Sequence, residues 1–111
     1  MNSQEIQSVL AHVPGFRGVF PLDQLPHGLR ANDSFVFNLD SSNLPGTHWL
    51  AVKIDSHLHA FLFDPLAFPV NRKICRHLLN YVVSIRVCKE PSQSLNSSLC
   101  GEYCVDFIIS Q

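Results

Sequence analysis

Charge is scarce in this chain of 111 residues. Only 15% of positions are Asp, Glu, Lys or Arg, and eight basic side chains against nine acidic ones leave a formal net charge of −1. A sequence-independent nucleic-acid binder is normally basic, so that class has no support here. The stretch NRKICRH (71–77) could still form a local basic patch. Long apolar runs are also missing, and none approaches the roughly 20 residues that span a bilayer. The opening MNSQEIQSVL has no basic n-region and does not read as a signal peptide. The chain is therefore expected to be intracellular. Cysteine is limited to Cys75, Cys88, Cys100 and Cys104, without the density of a secreted disulfide scaffold, so thiols are expected rather than bridges. No internal repeat or low-complexity segment occurs.

What is present is apolar. Residues of that kind make up 46% of the sequence, enough for a core, and the length suits one compact domain, 1–111. NSQEIQSVLAHV (2–13) spaces Ile6, Val9, Leu10 and Val13 as a helix, with Ser3 as a candidate N-cap. RGVFPLDQLPHGLRAND (17–33) is rich in Pro and Gly and reads as an extended loop with turns. SFVFNLD (34–40), THWLAVKID (47–55) and HAFLFD (59–64) read as strands, the last two joined by a tight hairpin at SHL. NRKICRHLLNYV (71–82) suits an amphipathic helix, VVSIRV (82–87) a strand and LCGEYCVDFIIS (99–110) a final apolar helix. The order α, β, β, β, α, β, α predicts an α+β domain with a small mixed or antiparallel sheet.

The hairpin carries a chemical inference. If it turns near Ser56, His48 lies opposite Asp64, and a cross-strand carboxylate fixes an imidazole's tautomer and stabilises its cation. A one-residue slip would send the two side chains to opposite faces. Cys100 would sit in the first turn of the last helix, where unpaired N–H groups and the helix dipole favour a thiolate. Ser97 and Ser98 are plausible caps. Gly101 is a poor helix former that admits a close approach, and the N–H of Cys100 or Gly101 could hold an oxyanion. Cys104, one turn further on, reads as a packed core thiol. Gln93 is either a solvated glutamine or an amide donor to an oxyanion. A zinc site built from Cys100, Cys104, His57 and His59 lacks a second close ligand pair of the usual type. Cys75 and Cys88 read as structural or surface residues, and His12, His27, His57, His59 and His77 as surface or loop.

In that order, GTHW (46–49), FLFDPLAF (61–68) and QSLNSSLCGEYC (93–104) resemble the adenovirus-type cysteine proteases, adenain, and the wider clan that includes the SUMO-specific proteases. In that family the chain order is His, acid, Gln, Cys. Trp follows the His, the acid lies between Phe and Pro, and Gln precedes a Cys-Gly helix start by about seven residues. GVFPLDQLP (18–26) is similar to the upstream segment of the proteases of Polinton/Maverick transposons and related viruses. The resemblance runs from about Gly18 to Ile109. It implies a papain-like cysteine protease fold of the adenain/SUMO-protease type in a minimal version. It further implies His48 as general base, Asp64 as its orienting acid, Gln93 as oxyanion donor and Cys100 as nucleophile, with Trp49 and Gly101 supporting the substrate and oxyanion positions.

The activity so implied is a cysteine endopeptidase that processes viral or transposon capsid or core precursor proteins after small residues, often Gly. It would work in the host-cell cytoplasm or nucleus, or in the virion. Its partner is a protein or peptide substrate. No cofactor, metal or membrane is implied. The chain ends at Gln111, where adenain continues into a further helical part, so the resemblance implies a minimal version active alone or completed by a partner. Neither of adenain's activators, a disulfide-linked viral peptide and DNA, is carried over. No residue clearly matches the cysteine that takes the peptide, and the net charge does not suit a general DNA cofactor. The alternatives are a protease of ubiquitin-like modifiers, a catalytically inactive protease-fold binding module and a small zinc protein.

Overall fold

The computed structural model describes residues 1–39, 48–65, 69–89 and 100–110. They form an α+β fold in which three helices flank a five-stranded mixed sheet. The elements are α1 (Ser3–Leu10), β1 (Phe16–Pro21), a short 3-10 turn (Leu22–Gln24), β2 (Ser34–Asn38), β3 (Trp49–Ile54), β4 (His59–Asp64), α2 (Arg72–Leu78), β5 (Ser84–Lys89) and α3 (Cys100–Ile109). The strands lie in sequence order. β2, β3 and β4 are antiparallel, while the outer pairs β1·β2 and β4·β5 are parallel.

Alternation along the central strands splits the core in two. Phe35, Phe37, Leu50, Val52, Ile54, Ala60 and Leu62 pack on one face with Ile74 and Leu78 of α2. Val36, Trp49, Ala51 and Phe63 pack on the other with Ile6 and Leu10 of α1 and Cys100, Cys104, Val105 and Ile108 of α3. Strands covered on both faces read as nearly continuous apolar runs, which is why β2, β3 and β4 were recognisable.

β1 corrects the expected loop over 17–33. Gly18 has φ +131°, and the register with β2 shifts between Phe16 and Val19, the mark of a bulge. Pro21 closes the strand, which a sheet edge tolerates because no ladder donor is needed there. A bulge and a terminal proline erase the alternation that would announce a strand. Residues 22–33 then supply the crossover, about a dozen residues, that a parallel pair requires.

Smaller boundaries also move. α1 is capped by Asn2 rather than Ser3: Asn2 Oδ1 accepts from the Glu5 N–H at 2.8 Å, and Glu5 Oε1 accepts from the Asn2 N–H at 3.0 Å. α2 stops at Leu78, before the expected 82, because the Asn80 side chain donates to the carbonyls of Arg76 and His77. β5 begins two residues later than the expected Val82.

α3 runs alongside β3 and is tied to it at both ends. At the far end Lys53 Nζ donates to the Phe107 carbonyl at 3.2 Å and to the Ser110 carbonyl, a cation on the negative end of the helix. Burial lowers the Lys53 pKa from its ordinary value. The Phe107 ring stacks on Phe63 at 4.8 Å between centroids. Four residues of strand cover about 13 Å and seven of helix about 10 Å, so fixing Lys53 against Phe107 brings Cys100 level with Trp49.

The hairpin is closed by a three-residue loop. The Asp55 N–H donates to the His59 carbonyl, and the Asp55 carboxylate accepts from the N–H groups of His57 and His59, both at 2.9 Å. Leu58 takes φ 64°, the left-handed residue such a loop needs. The His59 N–H bond is the main reason the Asp55 carboxyl is held below its ordinary pKa. That contribution is present above the unfolded carboxylate value and disappears as pH falls through the folded one. Asp55→Ala is therefore expected to lower the melting temperature near pH 6, with the gap to wild type closing in strong acid. A gap independent of pH would contradict this account of the turn.

Candidate active site

The described residues bury few polar side chains: Ser34, His48 and Asp64. Two of the three touch. His48, immediately before β3, places Nε2 3.0 Å from Oδ1 of Asp64, the last residue of β4. The same imidazole interacts with Cys100, the first residue of α3, closely enough for that side chain to raise its pKa. His48 is 7%, Asp64 3% and Cys100 1% exposed. The two strands of the hairpin and the distant helix α3 thus converge at one end of the sheet.

The route to this contact differs from the expected pairing. The observed register sets Ala51 opposite Phe63, and extending it places Leu50, not His48, opposite Asp64. The Asp55 turn is centred on His57 instead of Ser56, which displaces the pairing by two residues. An even displacement leaves His48 and Asp64 on the same side of the strand pair, as diagonal neighbours still within reach of their side chains.

Burial is the largest single influence on His48 and lowers its pKa. Side-chain and Coulombic interactions with Asp64 and Cys100, Asp64 foremost, outweigh burial and raise it to about 9. His48 is thus held as an imidazolium at neutral pH, between a carboxylate and a sulfur. A buried cation is tolerated only with partners of this kind.

Trp49 binds the neighbourhood together through both backbone and ring. Its N–H donates to Cys100 Sγ at 3.4 Å, its carbonyl accepts from the Cys104 thiol at 3.2 Å, and its ring Nε1–H donates to the Met1 carbonyl at 3.2 Å. The approach at Gly101 is made by the protein itself. A Cβ there would lie 3.1 Å from Met1 Cβ and 3.4 Å from both Ile6 Cδ1 and Trp49 Cδ1, so the close approach that a glycine admits at this position is made by the chain's own residues. The main-chain N–H of Gly101 stays in the first turn of α3.

Gln93, Ser97, Ser98, Gly46 and Thr47 lie outside the described residues. The zinc set is not brought together. His59 opens β4 and Asp64 closes it, a separation of about 17 Å along the strand, so His57 and His59 cannot share a metal with Cys100. His57 and His59 belong to the hairpin turn, His27 to a contact with Tyr81 and His77 to one with the Pro26 carbonyl. Burial raises the Cys75 thiol pKa. The involvement of Met1 had no signal in the sequence. Pro65 has one, as the proline that follows Asp64.

No protein-family model matches the chain. No curated protein matches it at a significant level either.

The raised His48 pKa makes a testable demand. Its stabilising contribution is fully present below the unfolded value of 6.5 and is lost as pH rises through about 9. The difference in unfolding free energy between wild type and His48→Gln is expected to shrink between pH 6 and pH 10, by up to roughly 3 kcal/mol. An NMR titration of the ring should give a midpoint near 9, and a midpoint at or below the unfolded value would contradict the buried ion-pair geometry.

Proposed function

We propose that the chain is a cysteine endopeptidase of the adenain-like kind, with a minimal papain-like fold, cutting viral or transposon capsid or core precursor proteins after small residues such as Gly. The observation that carries this reading is a single buried imidazole paired with a carboxylate and raised in pKa by both that carboxylate and a cysteine that opens a helix. Nucleophile, base and orienting group in mutual contact are what acyl transfer through a thioester requires.

In the proposed reaction His48 holds the proton taken from Cys100. The thiolate attacks the scissile carbonyl carbon, and the electron pair moves onto the carbonyl oxygen. The first-turn N–H groups of α3, with the Gln93 amide, stabilise that oxyanion. The carbon–nitrogen bond then breaks as His48 protonates the leaving amine. A water loses its proton to His48 and attacks the thioester, and Cys100 departs as thiolate. Asp64 keeps the imidazole oriented throughout and stabilises it whenever it carries the proton. The exclusion of solvent around all three groups strengthens each electrostatic contact.

Peptidase activity on a Gly-containing peptide should vanish in Cys100→Ala, with the melting transition retained, and nearly vanish in His48→Ala. Asp64→Asn should lower kcat by roughly 10²–10⁴-fold. Gln93→Ala should cost about 10²–10³-fold. Full activity in Cys100→Ala would overturn the proposal. So would a wild-type protein that cleaves no peptide of a Gly-containing panel and whose Cys100 alkylates no faster than an ordinary exposed cysteine, the behaviour of a binding module.

A further inference from the structure

The reading of Cys100 as nucleophile leaves Cys104 as plain core, yet its thiol has a directed contact that packing alone does not require. The reason lies in the sheet. Odd-numbered β3 residues turn their N–H and C=O toward β4, as the Asp55 N–H to His59 carbonyl bond shows, while even-numbered ones turn toward β2, as the Ile54 N–H to Asp33 carbonyl bond shows. Trp49 is odd, and extending the register beyond Ala51 and Phe63 sets Pro65 opposite it. Proline has no N–H to give, so the ladder cannot claim the Trp49 carbonyl, and the strand partner ends there. The Trp49 carbonyl goes to α3 instead, accepting from Cys104 Sγ at 3.2 Å, and the Trp49 N–H also turns to that helix, donating to Cys100 Sγ at 3.4 Å.

We infer that Cys104 is a positioning residue for Cys100, acting through Trp49: its thiol holds the Trp49 carbonyl so that the adjacent N–H stays aimed at the proposed nucleophile's sulfur. This rests on the functional role proposed for Cys100, but the contact itself does not. A cysteine can do this only while it keeps its proton. Burial, foremost, and then the charges of Cys100 and Asp64 raise the Cys104 thiol well above the ordinary range. One turn of α3 therefore carries two sulfurs in opposite roles, Cys104 as donor and Cys100 as acceptor, joined by two atoms of one residue's main chain. An N–H aimed at the sulfur favours its negative form.

The test is alkylation of the full chain by iodoacetamide between pH 6 and pH 9, with modification of Cys100 located by peptide mass. Cys104→Ala removes the donor, whereas Cys104→Ser keeps an O–H in nearly the same volume. At pH 7 the Ala variant is expected to alkylate at Cys100 roughly threefold to tenfold more slowly, the worth of one net hydrogen bond, with the Ser variant close to wild type. Wild-type rates in a folded Cys104→Ala protein, or equal slowing by Ala and Ser, would overturn the inference. Should Cys104→Ala fail to fold, Pro65→Ala serves in its place. It offers Trp49 a ladder N–H that competes with Cys104, and is expected to slow Cys100 alkylation and shift the Trp49 amide proton resonance. If both are unchanged, the inference fails. Alkylation that depends on Cys104 without any peptidase activity would retire the peptidase reading and leave this one. Cys100-dependent peptidase activity indifferent to Cys104 would retire this one alone.

Discussion

The pairing of β3 with β4 is the constraint on which the rest of the molecule turns. It occupies the centre of the sheet, and both strands are covered on both faces. Its register is held by the Asp55 turn, whose carboxylate gathers two main-chain amides. From that register follow the diagonal contact of His48 with Asp64, the position of Pro65 opposite Trp49 and the release of the Trp49 carbonyl toward α3. A slip of one residue would send His48 and Asp64 to opposite faces, and the polar cluster would lose its carboxylate.

The second structural decision is the docking of α3 parallel to β3. An apolar helix could lie against that face in several ways, but the ties at its two ends select one. Lys53 on the terminal carbonyls and Phe107 on Phe63 secure the C-terminal end. The two cysteine sulfurs on the Trp49 peptide secure the other. Gly101 lets the helix come close enough for this, because any side chain would meet Met1, Ile6 and Trp49. Groups with demanding geometry are thereby mounted on the ends of rigid elements, the arrangement that keeps such groups preorganised.

The cluster is also an electrostatic compromise. Removing an imidazole and a carboxylate from water is unfavourable, and burial alone would drive His48 toward its neutral form. Asp64 and Cys100 reverse that sign. A domain with so few charged residues places a histidine and an aspartate inside. A hydrophobic pair could fill the same space at less cost, which is the physical reason for proposing a chemical role for the cluster.

The amino-acid sequence by itself determined much of this. Nearly continuous apolar runs marked β2, β3 and β4, helical spacing marked α1, α2 and α3, and the residue types His48, Asp64 and Cys100 could be singled out from local context and from the ordered motifs around them. Those signals are legible because burial on a face and the period of an element are local properties of the chain. Tertiary structure alone decided the rest. β1 was hidden because its bulge and terminal proline break alternation, and its strand character exists only through pairing with β2. The two-residue change in hairpin register depended on which amides the Asp55 carboxylate would gather. The meeting of His48 with Cys100, the filling of the space at Gly101 by Met1, Ile6 and Trp49, and the bond from Cys104 to the Trp49 carbonyl depend on how α3 lies across β3. That docking sums contacts between residues some fifty positions apart, which no short window of sequence contains.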